Sequence, residues 1–309
     1  MNLTDIQRRM TQLRLDPDST GIKVNLYTGD EAAAVARASA SVEGQGWFRG
    51  VESLMVADSY LMTHLGRSST NLDPDERGPF LETLRGLVRD VARERDAGFT
   101  ADNRPFLIAD MPEGSLDNVD VALKAARNFI SDGADSVKVE VHDDALLPIV
   151  AALHAEGIPV LGHIGYTPQK AVNRRYGKTA EECEALFSLA RQLRDAGAYA
   201  MVIERVGPEL NARFCKPDPE GIPIYSIFCG RAPHGGQSLN VWDAVVLPDF
   251  AAKAFPPTAV LPREDVAERY KRDLIAERFE ALLRLAVNGE FPAATASVVD
   301  TDAPSPWRG

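Results

Sequence analysis

The chain alternates along most of its length: a short apolar run, a stretch of mixed residues at helical spacing, then another short apolar run. The runs are residues 23–27 (KVNLY), 53–58 (SLMVAD), 106–110 (FLIAD), 136–140 (SVKVE), 159–163 (PVLGH), 200–204 (AMVIE), 223–229 (PIYSIFC) and, less regularly, 239–247. Runs this short suit strands rather than helices, and apolar residues on both faces suit strands covered on both sides. Between them, residues 80–96 place Leu81, Leu84, Leu87, Val88 and Val91 on one helical face. Helices are also expected over 115–131, 145–155 and 179–195, each with a glycine (Gly133, Gly157, Gly197) just past its end. The pattern predicts an α/β fold, a (β/α)8 barrel, with an open doubly wound sheet as the alternative because periodicity cannot count closure. Residues 264–289 read as an amphipathic helix after the last strand, expected to pack on the barrel or on a neighbouring copy. The expected division is a polar, helical extension (1–20), a barrel (21–255), and a C-terminal helix and tail (256–309).

Charge and composition narrow the partners. With 34 Lys and Arg against 45 Asp and Glu, the net charge of −11 argues against a protein that coats nucleic acid or an anionic membrane. No apolar run reaches the roughly 18 residues that suggest a membrane span, and residues 1–20 lack the apolar core of a secretory signal. The three cysteines, Cys183, Cys215 and Cys229, are unclustered, which argues against a disulfide framework or a cysteine-rich zinc site and fits a cytoplasmic location. A small-molecule partner is expected.

Several of the expected strands end in a titratable residue: Asp58, Asp110, Glu140, His163 and Glu204. Polar residues also end strands simply because the chain is leaving the core. In a parallel barrel, however, all five gather at one mouth, and Lys138, two residues before Glu140, leaves the strand on the same face. Crowded carboxylates repel unless something positive intervenes. Oxygen-only donors point to a hard divalent cation such as Mg2+. A cation with open positions can chelate the carboxylate and keto oxygens of a 2-oxo acid and favour the enolate left when a base removes the neighbouring proton.

At these residues the chain resembles the ketopantoate hydroxymethyltransferase family, of the phosphoenolpyruvate mutase/isocitrate lyase-like barrels. The resemblance rests on Val56-Ala57-Asp58-Ser59-Tyr60-Leu61-Met62, Ile108-Ala109-Asp110-Met111-Pro112, Val137-Lys138-Val139-Glu140, Gly162-His163-Ile164-Gly165-Tyr166-Thr167-Pro168-Gln169 and Val202-Ile203-Glu204-Arg205-Val206, in the family's order. It implies that Asp58, Asp110 and Glu140 match magnesium ligands, and that Asp58, Ser59, Asp110 and Lys138 match contacts to the 2-oxo acid. Glu204 matches the proton acceptor, and His163 the motif histidine beside the substrate. It also implies 5,10-methylenetetrahydrofolate as one-carbon donor and a homo-oligomer. A lyase of the same superfamily and a non-catalytic metabolite-binding barrel stay open, although the lyases' K-K-C-G-H block is absent. The walls depart from the family: Ala57 and Leu61 replace motif glycines, and Val141-His142 stands for Gly-Gly. The seventh-strand I-G-I-G-A-G becomes Tyr225-Ser226-Ile227-Phe228-Cys229-Gly230. These replacements predict altered specificity.

Overall fold

The computed structural model describes residues 10, 14–17, 20–46, 48–170, 172, 174–241, 272–290 and 305–307. Strands β1 (Thr20–Leu26), β2 (Phe48–Val56), β3 (Phe106–Asp110), β4 (Ser136–Glu140), β5 (Val160–Gly165), β6 (Ala198–Glu204), β7 (Ile224–Ile227) and β8 (Gly236–Asn240) each pair in parallel with the next. β8 returns to β1, so the sheet closes and the barrel expectation holds against the open sheet. On β1, Ile22, Val24 and Leu26 are fully buried on the helix-covered outside, while Lys23 and Asn25 point inward.

Among the described residues, the α-helices are α1 (Gly29–Val42), α2 (Tyr60–Thr63), α3 (Pro74–Gly98), α4 (Val119–Ser131), α5 (Leu147–Ala155), α6 (Ala180–Asp195), α7 (Pro208–Phe214) and α8 (Arg272–Asn288). Four differences from the sequence reading have local causes. α1 is unanticipated because its buried face is mostly small residues (Gly29, Ala32, Ala34, Ala36, Ala38 and Ser39), which mark no apolar stripe; its signal is the Thr28/Glu31 capping box. α3 starts at Pro74 rather than residue 80, since Asp73 and Glu76 form a capping box and Pro79 is accommodated inside the helix. α4 starts after Asn118, whose Oδ1 accepts from the Val121 N–H at 3.0 Å, rather than at residue 115. α5 is preceded by a short 3-10 turn over Asp144–Leu146. The expected 179–195 helix is right to one residue, with Thr179 as its cap.

α8 falls within the expected 264–289 helix and packs on α1, burying Ile275, Phe279, Leu282 and Leu283. The expected last strand over 239–247 begins three residues earlier, and its part beyond residue 241 lies outside the described residues, as does the 255/256 boundary. Among the described residues, no helix is long and apolar enough to cross a membrane.

The amino-terminal end of the barrel is closed by an ion pair. Arg14 Nη2 lies 3.0 Å from Glu52 Oε2, which also accepts from the Tyr225 hydroxyl at 2.6 Å. Gly21 and Gly236 leave room for this group: a side chain at either would collide with the Arg14 guanidinium. Removing one partner of a buried pair strands the other's charge. Arg14→Met is expected to lower stability by about 3–5 kcal/mol in urea unfolding, with Arg14→Met/Glu52→Gln regaining part of the loss.

Candidate active site

The closed parallel sheet places the carboxyl ends of its strands on one rim. Asp110, Glu140 and Glu204 are the last residues of β3, β4 and β6, His163 lies near the end of β5, and Asp58 follows β2 by two residues. Together with Ser59 and Lys138 they line a single pocket. Every candidate residue named from the sequence is therefore in one place, and all but Ser59 are buried.

Lys138 occupies the centre of the acidic group. Its Nζ lies 2.8 Å from Asp110 Oδ2 and 3.3 Å from Glu140 Oε1. Asp110, Glu140 and Asp58 hold the ammonium well above the ordinary lysine range, against the opposing effect of burial. Burial alone would raise Glu140, but Lys138 and His163 outweigh it and bring the carboxyl down to about 2. Asp58 behaves oppositely. Burial and the neighbouring Asp110 and Glu140 push its pKa well up, with only partial relief from Lys138 and from the Gln169 amide, which donates to Asp58 Oδ2 at 2.9 Å. Gln169 also donates its backbone N–H to Glu140 Oε2 at 3.0 Å, so this loop residue ties two of the acids together. In the sequence, Gln169 stands out only as the last residue of the motif over 162–169.

His163 bridges the two halves of the site. Its Nδ1 is 3.6 Å from Glu140 Oε1 and its Nε2 is 3.3 Å from Glu204 Oε2, although neither ring nitrogen makes a well-directed hydrogen bond. Burial favours the neutral ring, but the two carboxylates prevail and raise its pKa. Ser59 Oγ is joined to Tyr27 Oη at 2.9 Å, and Tyr27 accepts from the Asn240 amide at 2.7 Å. Lys23, Asn25, Ser238 and Asn240 also line the pocket and were not singled out beforehand. The available signal was alternation: in KVNLY and SLN the polar residues fall on the face that a barrel turns inward.

The donor set suits a hard cation. It consists of oxygens, and Asp110 Oδ1 is buried with no hydrogen-bond partner. As the side chains stand, no three His, Cys, Asp or Glu residues among those described form a ready ligand cluster. The Lys138 ammonium takes up Asp110 Oδ2 and Glu140 Oε1 instead.

Two pocket residues sit in strained backbone. Arg205 (φ 54°) and Phe228 (φ 56°) follow β6 and β7 in the left-handed region, which costs a side-chain-bearing residue about 1–2 kcal/mol. Cys229 is no nucleophile: burial pushes its thiol up to about 12, and Sγ contacts the Ile227 carbonyl at 3.1 Å. Arg174 Nη1 lies 2.9 Å from Glu182 Oε1, and Arg175 donates to the Val206 carbonyl at 3.3 Å.

These features define a (β/α)8 barrel enzyme whose acid, lysine and histidine groups share one mouth. The sequence model of ketopantoate hydroxymethyltransferase matches residues 40–279, and the chain belongs to that family. The 3-methyl-2-oxobutanoate hydroxymethyltransferase of Pyrobaculum islandicum is 34% identical over 241 residues, covering 74% of this chain and 85% of the relative. The enzyme of the same name from Thermus thermophilus is 34% identical over 203 residues, covering 64% and 70%. A crystal structure from Burkholderia cenocepacia J2315, described as a candidate phosphonomutase, shares the fold at TM-score 0.51 and 13% identity, covering 77% of this chain and 92% of that one.

Two outcomes follow from the strain and charge. A carboxyl whose pKa is raised by folding costs the fold stability as pH climbs from its unfolded value through the folded one, so the Asp58 carboxyl lowers stability toward neutral pH. Asp58→Asn is expected to raise the metal-free melting temperature by roughly 2–4 °C while losing activity; a lowered melting temperature contradicts the charge balance. Phe228→Gly is expected to lower stability by about 1–2 kcal/mol, because strain relief offsets the added chain freedom but not the packing lost when the half-buried ring leaves the core. It should also lower KM for bulkier substrates, read from steady-state kinetics.

Proposed function

We propose that the protein forms a carbon–carbon bond to a 2-oxo acid after removing the proton next to the keto group, in the manner of hydroxymethyl transfer. The observation that carries this is the pairing of Glu204 with His163 on one side of a pocket whose other side holds Asp58, Asp110, Lys138 and Glu140. Glu204 is the base. His163, held between Glu204 and Glu140, positions it and can share the proton. Lys138 and Ser59 anchor the acid's oxygens, with Asp58 and Asp110 beside them.

Asp58, Asp110 and Glu140 would hold Mg2+ or a similar divalent cation, with the unpartnered Asp110 Oδ1 as the most available donor. When bound, that ion would supply Lewis acidity at the keto group. The resemblance to the family supports 5,10-methylenetetrahydrofolate as donor, a cytoplasmic location, a homo-oligomer, and the division into 1–20, 21–255 and 256–309 as parts of the same reading.

The test is exchange of the α-proton of 3-methyl-2-oxobutanoate and other 2-oxo acids in deuterated solvent with Mg2+, followed by NMR. Exchange is expected, and is lost on chelation or in Asp110→Ala. In Glu204→Gln it should fall about 10²–10⁴-fold. Exchange with no dependence on metal rejects the Asp58–Asp110–Glu140 assignment, and absence of exchange rejects the proposal. Folate-independent cleavage would reassign the chemistry to a lyase.

A further inference from the structure

The pocket has two unlike halves. One, from β2 to β6, carries the carboxylates, His163 and Lys138. The other, from β8 and β1, is lined by Lys23, Asn25, Ser238 and Asn240. Lys23 is fully buried, and its hydrogen-bond partners are neutral: the Asn25 Oδ1 atom and Ser238 Oγ, the latter at 3.1 Å. Lys138 is paired with two carboxylates at hydrogen-bond distance, whereas Lys23 has none within that range among the described residues. A buried ammonium held only by an amide and a hydroxyl is poorly compensated and favours an anion. An apolar substrate tail packed there would leave it so. Met55, Val202 and Ile227 supply apolar lining in the same pocket, suited to intervening methylenes.

We propose that Lys23, with Asn25 and Ser238, forms a second anion-recognising subsite at the pocket floor, and that the 2-oxo acid handled here carries a second carboxylate remote from its keto group. This rests on the reading of the pocket as a 2-oxo acid site and names the substrate class within it. The charge that Lys23 carries is adjustable. Burial and Lys138 on β4 lower its pKa to about 7, against the opposing pull of Asp110 on β3 and Glu204 on β6. A bound carboxylate stabilises the protonated form, so recognition is strongest below that pH and weakens above it.

The experiment compares two acids of equal carbon number, 2-oxoglutarate and 2-oxopentanoate, by calorimetry on the full-length protein with Mg2+. At pH 6 the dicarboxylate is expected to bind about tenfold tighter or more, the scale of one charge-assisted hydrogen bond. The preference should shrink by pH 8 and disappear in Lys23→Met. Equal affinity, a preference for 2-oxopentanoate, a preference that ignores pH, or one that survives in a folded Lys23→Met overturns the subsite. The wild-type comparison decides the matter even if the variant does not fold. Deuterium exchange on the same acids separates the two readings. Preferential binding without exchange removes the enolate chemistry and leaves Lys23 standing, while equal binding with exchange does the reverse.

Discussion

Parallel closure is the constraint from which the rest follows. When eight strands run the same way around a ring, their carboxyl ends share one rim, and residues far apart in sequence meet there. Asp110, Glu140 and Glu204 each end a strand and all reach the same pocket. The same geometry concentrates negative charge where burial makes it unfavourable. Lys138, placed on β4 two residues before Glu140, offsets much of that cost by contacting both Asp110 and Glu140.

The compensation is incomplete, and what it leaves over is informative. Asp58 stays strained electrostatically, with its pKa well raised, and Asp110 keeps a buried oxygen without a partner. Glu140, by contrast, is satisfied by Lys138 and by the Gln169 N–H. The deficit therefore sits on Asp58 and Asp110, the residues best placed to gain from a bound cation. Sites of this kind trade stability for function. The left-handed Arg205 and Phe228 add backbone strain at the same rim. The opposite end of the barrel is consolidated differently, by the Arg14–Glu52–Tyr225 cluster seated against Gly21 and Gly236.

The acids and the β1–β8 polar residues belong to different parts of the pocket. Phe228 adopts the left-handed backbone conformation that glycine enters freely. Lys23 and Ser238 line the pocket from the β1–β8 side without hydrogen-bonding to the acids.

Strand order, the (β/α)8 class and the gathering of Asp58, Ser59, Asp110, Lys138, Glu140, His163 and Glu204 at one mouth were legible in the amino-acid sequence. Short buried runs, helical periodicity and strand-end acids are local signals. Helix α1 and the true start of α3 were not read, although their capping boxes were present, because alanine-rich faces and an internal Pro79 blur the apolar spacing. What the sequence alone determined is which residues lie on which face of which strand, since that depends only on a period of two. Only the closed tertiary structure decided which charges touch: that Lys138 lies between Asp110 and Glu140, that Gln169 ties Asp58 to Glu140, and that Lys23 hydrogen-bonds to neutral partners. Those outcomes depend on distances across the ring, which no spacing along one chain encodes.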